Sequence, residues 1–148
     1  SNGTVIAFIC NHCPYVIAIA ERLGKEAKEL SKLSINTIAI MSNDVIQYPD
    51  DSFENMKLFA KNYDFIFPYL FDESQEVAKQ YGAVCTPDIF GFNNKNLLCY
   101  RGRIDSGVMN SDQKKIDREL YNAMVKIKND GIGPDKQLNS FGCSIKWK

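Results

Sequence analysis

The spacing of hydrophobic positions changes several times along this chain, and each change marks a new element. Thr4–Ile9 is a continuous apolar run rich in β-formers, as expected of a strand buried on both faces. From Pro14 the spacing becomes helical. Val16, Ile19, Ala20, Leu23, Ala27 and Leu30 recur at steps of three and four, with Glu21, Arg22, Lys25, Glu26, Lys28 and Glu29 on the wet face. Ile35–Met41 reads as a second buried strand, turned by Ser42-Asn43-Asp44. Asp51 and Ser52 look like caps for a helix that carries Phe53, Met56, Phe59, Ala60 and Tyr63 on one side. Phe67–Phe71 is a short extended piece. Asp72-Glu73-Ser74 opens a short helix holding Val77, Ala78 and Tyr81, and Gly82 closes it. Ile89–Phe92 and Leu97–Arg101, joined by Asn93-Asn94-Lys95-Asn96, read as a hairpin. Ile116, Leu120, Ala123, Met124 and Ile127 mark a final helix, and residues 131–148 read as an irregular tail packing on the domain of residues 1–130.

The order β-α-β-α-β-α-β-β-α predicts an α/β fold. A parallel pair with a right-handed crossover and a closing antiparallel hairpin make a central mixed β-sheet flanked by helices on both faces. With 148 residues the chain suits one core. Lys+Arg and Asp+Glu are both 18, so the net charge is zero, which argues against a nucleic-acid or anionic-membrane binder. The apolar runs fall short of a membrane span. Ser1-Asn2-Gly3 leads straight into a core strand, so the start is expected to be truncated.

Chemistry concentrates in Phe8-Ile9-Cys10-Asn11-His12-Cys13-Pro14-Tyr15, where a strand hands over to a helix. Pro14 suits the first helical position, which makes Cys13 the N-cap. A thiolate there faces unpaired N–H groups and the positive end of the helix dipole, so its pKa falls and its reactivity rises. Cys10 is either a resolving thiol for Cys13 or a small residue at the strand end. His12, the one histidine, is either a cation that stabilises the thiolate or a loop residue. Cys10, His12 and Cys13 also invite a soft copper site, although residues so close in sequence rarely complete a tetrahedral shell. Of the remaining cysteines, Cys85 precedes Thr86-Pro87, Cys99 alternates with strand residues as inert core, and Cys143 sits on the tail. An odd count of five suits free thiols in a reducing compartment rather than a disulfide framework. Arg101, Arg103, Asn43 and Asp44 are polar candidates at strand ends, with ordinary solvation or capping as the alternative.

This order of elements, with a cysteine after the first strand and Thr86-Pro87 before the hairpin, resembles the thioredoxin superfamily. The similarity is strongest to its redoxin branch of alkyl hydroperoxide reductase/thiol-specific antioxidant proteins and thioredoxin-like reductases. It is carried by Val5–Val16 and Phe67–Arg103, and the chain is similar to a bacterial group with CNHCPYV and a terminal GCSIKW. The resemblance implies a thioredoxin fold and a cis Thr86-Pro87 loop that shapes a substrate groove with His12 and Pro14. It puts Cys13 at the nucleophile position, because the strand aromatic Phe8 lies five residues earlier. The usual second cysteine would fall at Val16, so Cys10 is the expected resolving thiol, with Cys143 and Cys85 as further neighbours. Peroxidases of this branch carry Thr or Ser where Cys10 stands and Pro where Ile6 stands, although Cys13-Pro14 matches. The implied activity is thiol–disulfide exchange on a protein or small disulfide or peroxide, with an external thiol reductant and no organic cofactor. A thiol peroxidase and a copper-binding assembly factor are the alternatives. The implied location is the bacterial cytoplasm.

Overall fold

A computed structural model describes residues 1–110, 112 and 114–148. The first strand, β1 (Gly3–Phe8), pairs in parallel with β2 (Ile35–Met41), and the long helix α1 (Pro14–Ser31) makes the crossover between them. After a 3-10 turn at Pro49–Asp51 come α2 (Phe53–Asn62), β3 (Tyr69–Phe71) and α3 (Glu76–Tyr81). Next are β4 (Cys85–Thr86), β5 (Asp88–Phe92), β6 (Leu98–Gly102), α4 (Glu119–Asp130) and β7 (Cys143–Ser144). The main sheet runs β3-β2-β1-β5-β6, with β1–β2 and β2–β3 parallel and β1–β5 and β5–β6 antiparallel. This is the expected central mixed sheet.

The sheet is covered on both faces because its inner strands are apolar at nearly every position. Val5, Ala7, Ala39, Met41 and Ile89 face one cluster, which α1, α2 and α4 complete with Leu23, Leu30, Met56, Phe59, Leu120 and Met124. Ile6, Phe8, Ile40 and Phe90 face a smaller cluster, closed by Ala78 of α3, Ala83 and Ile145 from the tail. Phe8 centres that cluster, edge-on to Tyr81 at 5.3 Å and to Phe90 at 5.8 Å.

The structure moves several boundaries. Ser52 caps α2, accepting from Asn55 N–H at 3.2 Å, while Asp51 is fully buried and turned elsewhere. The short third helix starts at Glu76, later than Asp72 suggests. Asp72 instead sends its carboxylate under the helix to accept from Val77 and Ala78 N–H. Ile116 lies outside α4, which begins only after Arg118. The tail is not wholly irregular: β7 pairs antiparallel with β4 in a second, two-stranded sheet.

Phe8→Ala should lower the unfolding free energy by about 3–5 kcal/mol in urea titrations, because a buried aromatic leaves a cavity that a close-packed core cannot collapse. A loss below about 1 kcal/mol would contradict this packing.

Candidate active site

Beyond β1 the chain stays pinned to the sheet for one more residue, as Ile9 N–H donates to Ile40 O at 3.0 Å. It then crosses to α1 through a short segment that ends at Cys13. Cys13 is the N-cap, extended at φ −69° and ψ 123°, and Pro14 opens the helix. The Cys13 sulfur is completely buried, yet four donors face it: the Cys10 thiol, the Cys143 thiol, and the N–H groups of Val16 and Cys143. Val16 N–H also bonds the Cys13 carbonyl at 3.0 Å, the first bond of the helix. The Cys10 thiol does most to hold the Cys13 thiol far below its ordinary range. Burial opposes it, and the Cys143 thiol and the two N–H groups reinforce it. The protonated form has an acceptor in Thr86 O at 3.4 Å, one partner against four.

The other thiols move the opposite way. Cys10 is pushed up by its bond to Cys13, by burial and by the Asp51 carboxylate. Its sulfur lies 3.6 Å from Thr86 Oγ1. Burial and then the bond to Cys13 raise Cys143 to about 11. Burial raises Cys85 to about 11 as well. Of the three neighbouring thiols, Cys13 is therefore the one whose anionic form its surroundings favour. Thr86–Pro87 is cis, as the resemblance implied. Cys13, Cys10, Thr86 and Cys143 thus meet at one point. Cys85 adjoins them in sequence, but its half-buried thiol reaches toward Pro87 O at 3.8 Å.

His12 does not face the Cys13 sulfur. Its Nδ1 lies 2.6 Å from Asp51 Oδ2, and its ring stacks on Tyr48 at 5.7 Å. The groups that hold the thiolate are the two thiols and the two amides, so the cationic role expected of His12 has no geometric support. Asp51 is the residue that sequence reasoning missed, having read it as a cap. It accepts from Asn11 N–H at 2.8 Å and from Asn43 Nδ2 at 2.9 Å, which fixes the loop between β1 and α1. The ligating atoms of Cys10, His12 and Asp51 lie within 4.8 Å of one another, so a metal would find Asp51 where the sequence suggested Cys13.

Four other sequence candidates lie elsewhere. Arg101 pairs with Asp88 at 2.9 Å and stacks on Phe90, and Arg103 pairs with Glu119 at 2.6 Å, so neither serves the thiolate. Cys99 is half-buried rather than core, with its thiol directed to backbone carbonyls. Asp44 caps its own turn by accepting from Ile46 N–H at 3.0 Å.

Residues 1–104 match the family model described as the AhpC/TSA family. The chain belongs to that family. Membership supports a general redox function. The chain is 43% identical to an uncharacterised conserved protein from Geobacillus kaustophilus, with TM-score 0.92, covering 99% of this chain and 78% of that one. It is 36% identical to a hypothetical protein from Sinorhizobium meliloti, with TM-score 0.94, covering 100% and 81%. More distantly it resembles a secreted Mycobacterium tuberculosis disulfide oxidoreductase, at 18% identity and TM-score 0.56 over 66% of each chain, a likeness of thioredoxin-type fold. No curated protein matches it.

The rate of Cys13 alkylation by iodoacetamide should hold steady on acidification from neutral pH and fall by half only near pH 4. Below that the sulfur takes up a proton and stops reacting. Cys10→Ala and Cys143→Ala should each move the midpoint upward, the first by more. A wild-type midpoint near the free-thiol value of about 8.5 would show that the four donors do not hold a thiolate.

Proposed function

We propose that this AhpC/TSA-family protein is a thiol–disulfide oxidoreductase with Cys13 as its nucleophile. The observation that carries this reading is the convergence of two thiols and two N–H groups on a sulfur at a helix N-terminus. Such a sulfur is anionic at neutral pH and good at attacking sulfur or oxygen. Attack on a disulfide gives a mixed disulfide and releases a thiolate. Attack on a hydroperoxide cleaves the O–O bond, giving a Cys13 sulfenic acid and an alcohol or water. A neighbouring thiol then closes a disulfide, Cys10 first and Cys143 second, since both adjoin the Cys13 sulfur. An external thiol reductant returns two electrons to complete the cycle. Thr86 and Pro87 shape the groove beside Cys13. The odd number of cysteines suits work in a reducing compartment such as the bacterial cytoplasm. Among the described residues no helix is long and apolar enough to cross a membrane.

A second reading, metal carriage, rests on Cys10, His12 and Asp51. A thiolate, an imidazole and a carboxylate together suit zinc better than copper(I), because the carboxylate is a hard ligand. Cobalt(II), a spectroscopic stand-in for zinc, should then give a thiolate charge-transfer band that His12→Ala and Asp51→Asn abolish. Its absence in the reduced protein would end this reading.

Peptide mapping after one equivalent of hydrogen peroxide should find Cys13 in a disulfide with Cys10 or Cys143, lost in Cys13→Ser. Sulfenic or over-oxidised Cys13 without a partner would instead indicate a one-thiol peroxidase. Unmodified Cys13 would contradict both redox readings.

A further inference from the structure

The groove beside Cys13 already holds an extended strand, and that strand belongs to this chain. Thr86 pairs with Cys143 and Cys85 with Ser144, antiparallel. Ile145 N–H extends the ladder to Val84 O at 2.9 Å. Ser140 Oγ donates to the Pro87 carbonyl, so the segment follows the loop on both sides of the cis peptide. The match is close. A Cβ on Gly142 would overlap the Thr86 carbonyl oxygen, so only glycine lets the backbone lie this near.

Further contacts anchor the strand beyond the groove. Ile145, 3% exposed, fills the smaller core cluster. Lys146 N–H donates to Asn43 Oδ1 at 2.8 Å, and Lys146 O accepts from Asp44 N–H at 2.8 Å and from Gln75 Nε2 at 2.9 Å. At the other end Phe141 meets Tyr15 edge-on at 5.7 Å. The cleft between Tyr15, Pro87 and Phe141 retains about 20 Å³, room for one water. Under this cover Cys13 and Cys10 are 0% and 1% exposed.

We infer that residues 140–146 act as a built-in occupant of the substrate groove, which excludes extended polypeptides and restricts Cys13 to small oxidants. This rests on the redox reading above and names its substrate class: hydroperoxides or low-molecular-weight disulfides. A polypeptide pairing along this loop would use the backbone groups of Val84 and Thr86, which residues 143–145 already occupy. A small oxidant needs only a brief local opening at the sulfur. Cys143 lies opposite Thr86, whose carbonyl accepts from the Cys13 thiol, so its own thiol adjoins the nucleophile. After a small disulfide is attacked, Cys13 carries half of it as a mixed disulfide. Where Cys143 rather than Cys10 resolves it, Cys143, as its thiolate, attacks the Cys13 sulfur, forming Cys13–Cys143 and releasing the second small thiolate. The displaced anion takes up the proton that Cys143 lost.

The test uses this 148-residue chain as wild type, Gly142→Ala and Ile145→Glu. With dithiothreitol as reductant, turnover is measured on a small disulfide, hydroxyethyl disulfide, and on a protein disulfide, insulin. Emission of Trp147, the single tryptophan, reports tail docking independently of any redox step. Both variants should red-shift Trp147, and the ratio of insulin to small-disulfide turnover should rise by about tenfold. Circular dichroism confirms that the variants remain folded, and Gly142→Ala alone decides the matter if Ile145→Glu does not. A red shift with an unchanged ratio, or wild type reducing insulin as readily as the variants, would overturn the inference. An unshifted Trp147 with an unchanged ratio would overturn it too, because the strand would then tolerate the overlap. If no form turns over either disulfide, the redox reading fails instead, and the Trp147 shift still shows whether the strand was seated.

Discussion

The convergence of four donors on one buried sulfur, which favours its anionic form, organises this molecule. Burial alone would keep Cys13 protonated. What reverses that is the convergence of donors from three parts of the chain. Cys10 comes from the end of the first strand, the Val16 N–H from the first turn of α1, and the thiol and N–H of Cys143 from the last strand. Each donor is positioned by an element whose main packing lies elsewhere. α1 is held by its apolar stripe on the sheet, and β7 by Ile145 in the opposite cluster. The charge therefore depends on both faces of the sheet being assembled.

The two cysteines before α1 are made unequal by their surroundings rather than by their chemistry. Cys13 faces amides and thiols, while Cys10 faces the buried carboxylate of Asp51. Asp51 is held by Asn11 N–H and Asn43 Nδ2, and Asn43 also accepts from Lys146 in the tail. One carboxylate thus fixes the loop between β1 and α1 and, through Asn43, connects it to the strand that covers the site. That connection gives the site a defined set of partners whether Cys13 is charged or neutral.

Much of this was legible in the chain. The switch from a continuous apolar run to helical spacing at Pro14 located the β1–α1 junction and hence Cys13. Thr86-Pro87 before a hairpin located the facing loop. What was not legible has a common cause: it depends on contacts far apart in sequence. Asp51 next to Ser52 has the local look of a cap, and only the fold shows it buried against Asn11 and His12. Arg101 and Arg103 look available until Asp88 and Glu119 are seen to hold them. Ile116 continues the helical spacing, yet α4 starts only after Arg118. The tail is too short and too polar to announce a strand, and its pairing is imposed by β4 and by Gly142 lying against Thr86.

With this donor set Cys13 should carry a thiolate at neutral pH while its neighbours remain protonated. Ultraviolet thiolate absorbance of the reduced protein, titrated with acid and compared between wild type and Cys13→Ser, tests it most directly. One thiolate per chain is expected at neutral pH, lost as the pH falls toward about 4 and missing from Cys13→Ser. No thiolate absorbance at neutral pH, or the same absorbance in both proteins, would contradict it.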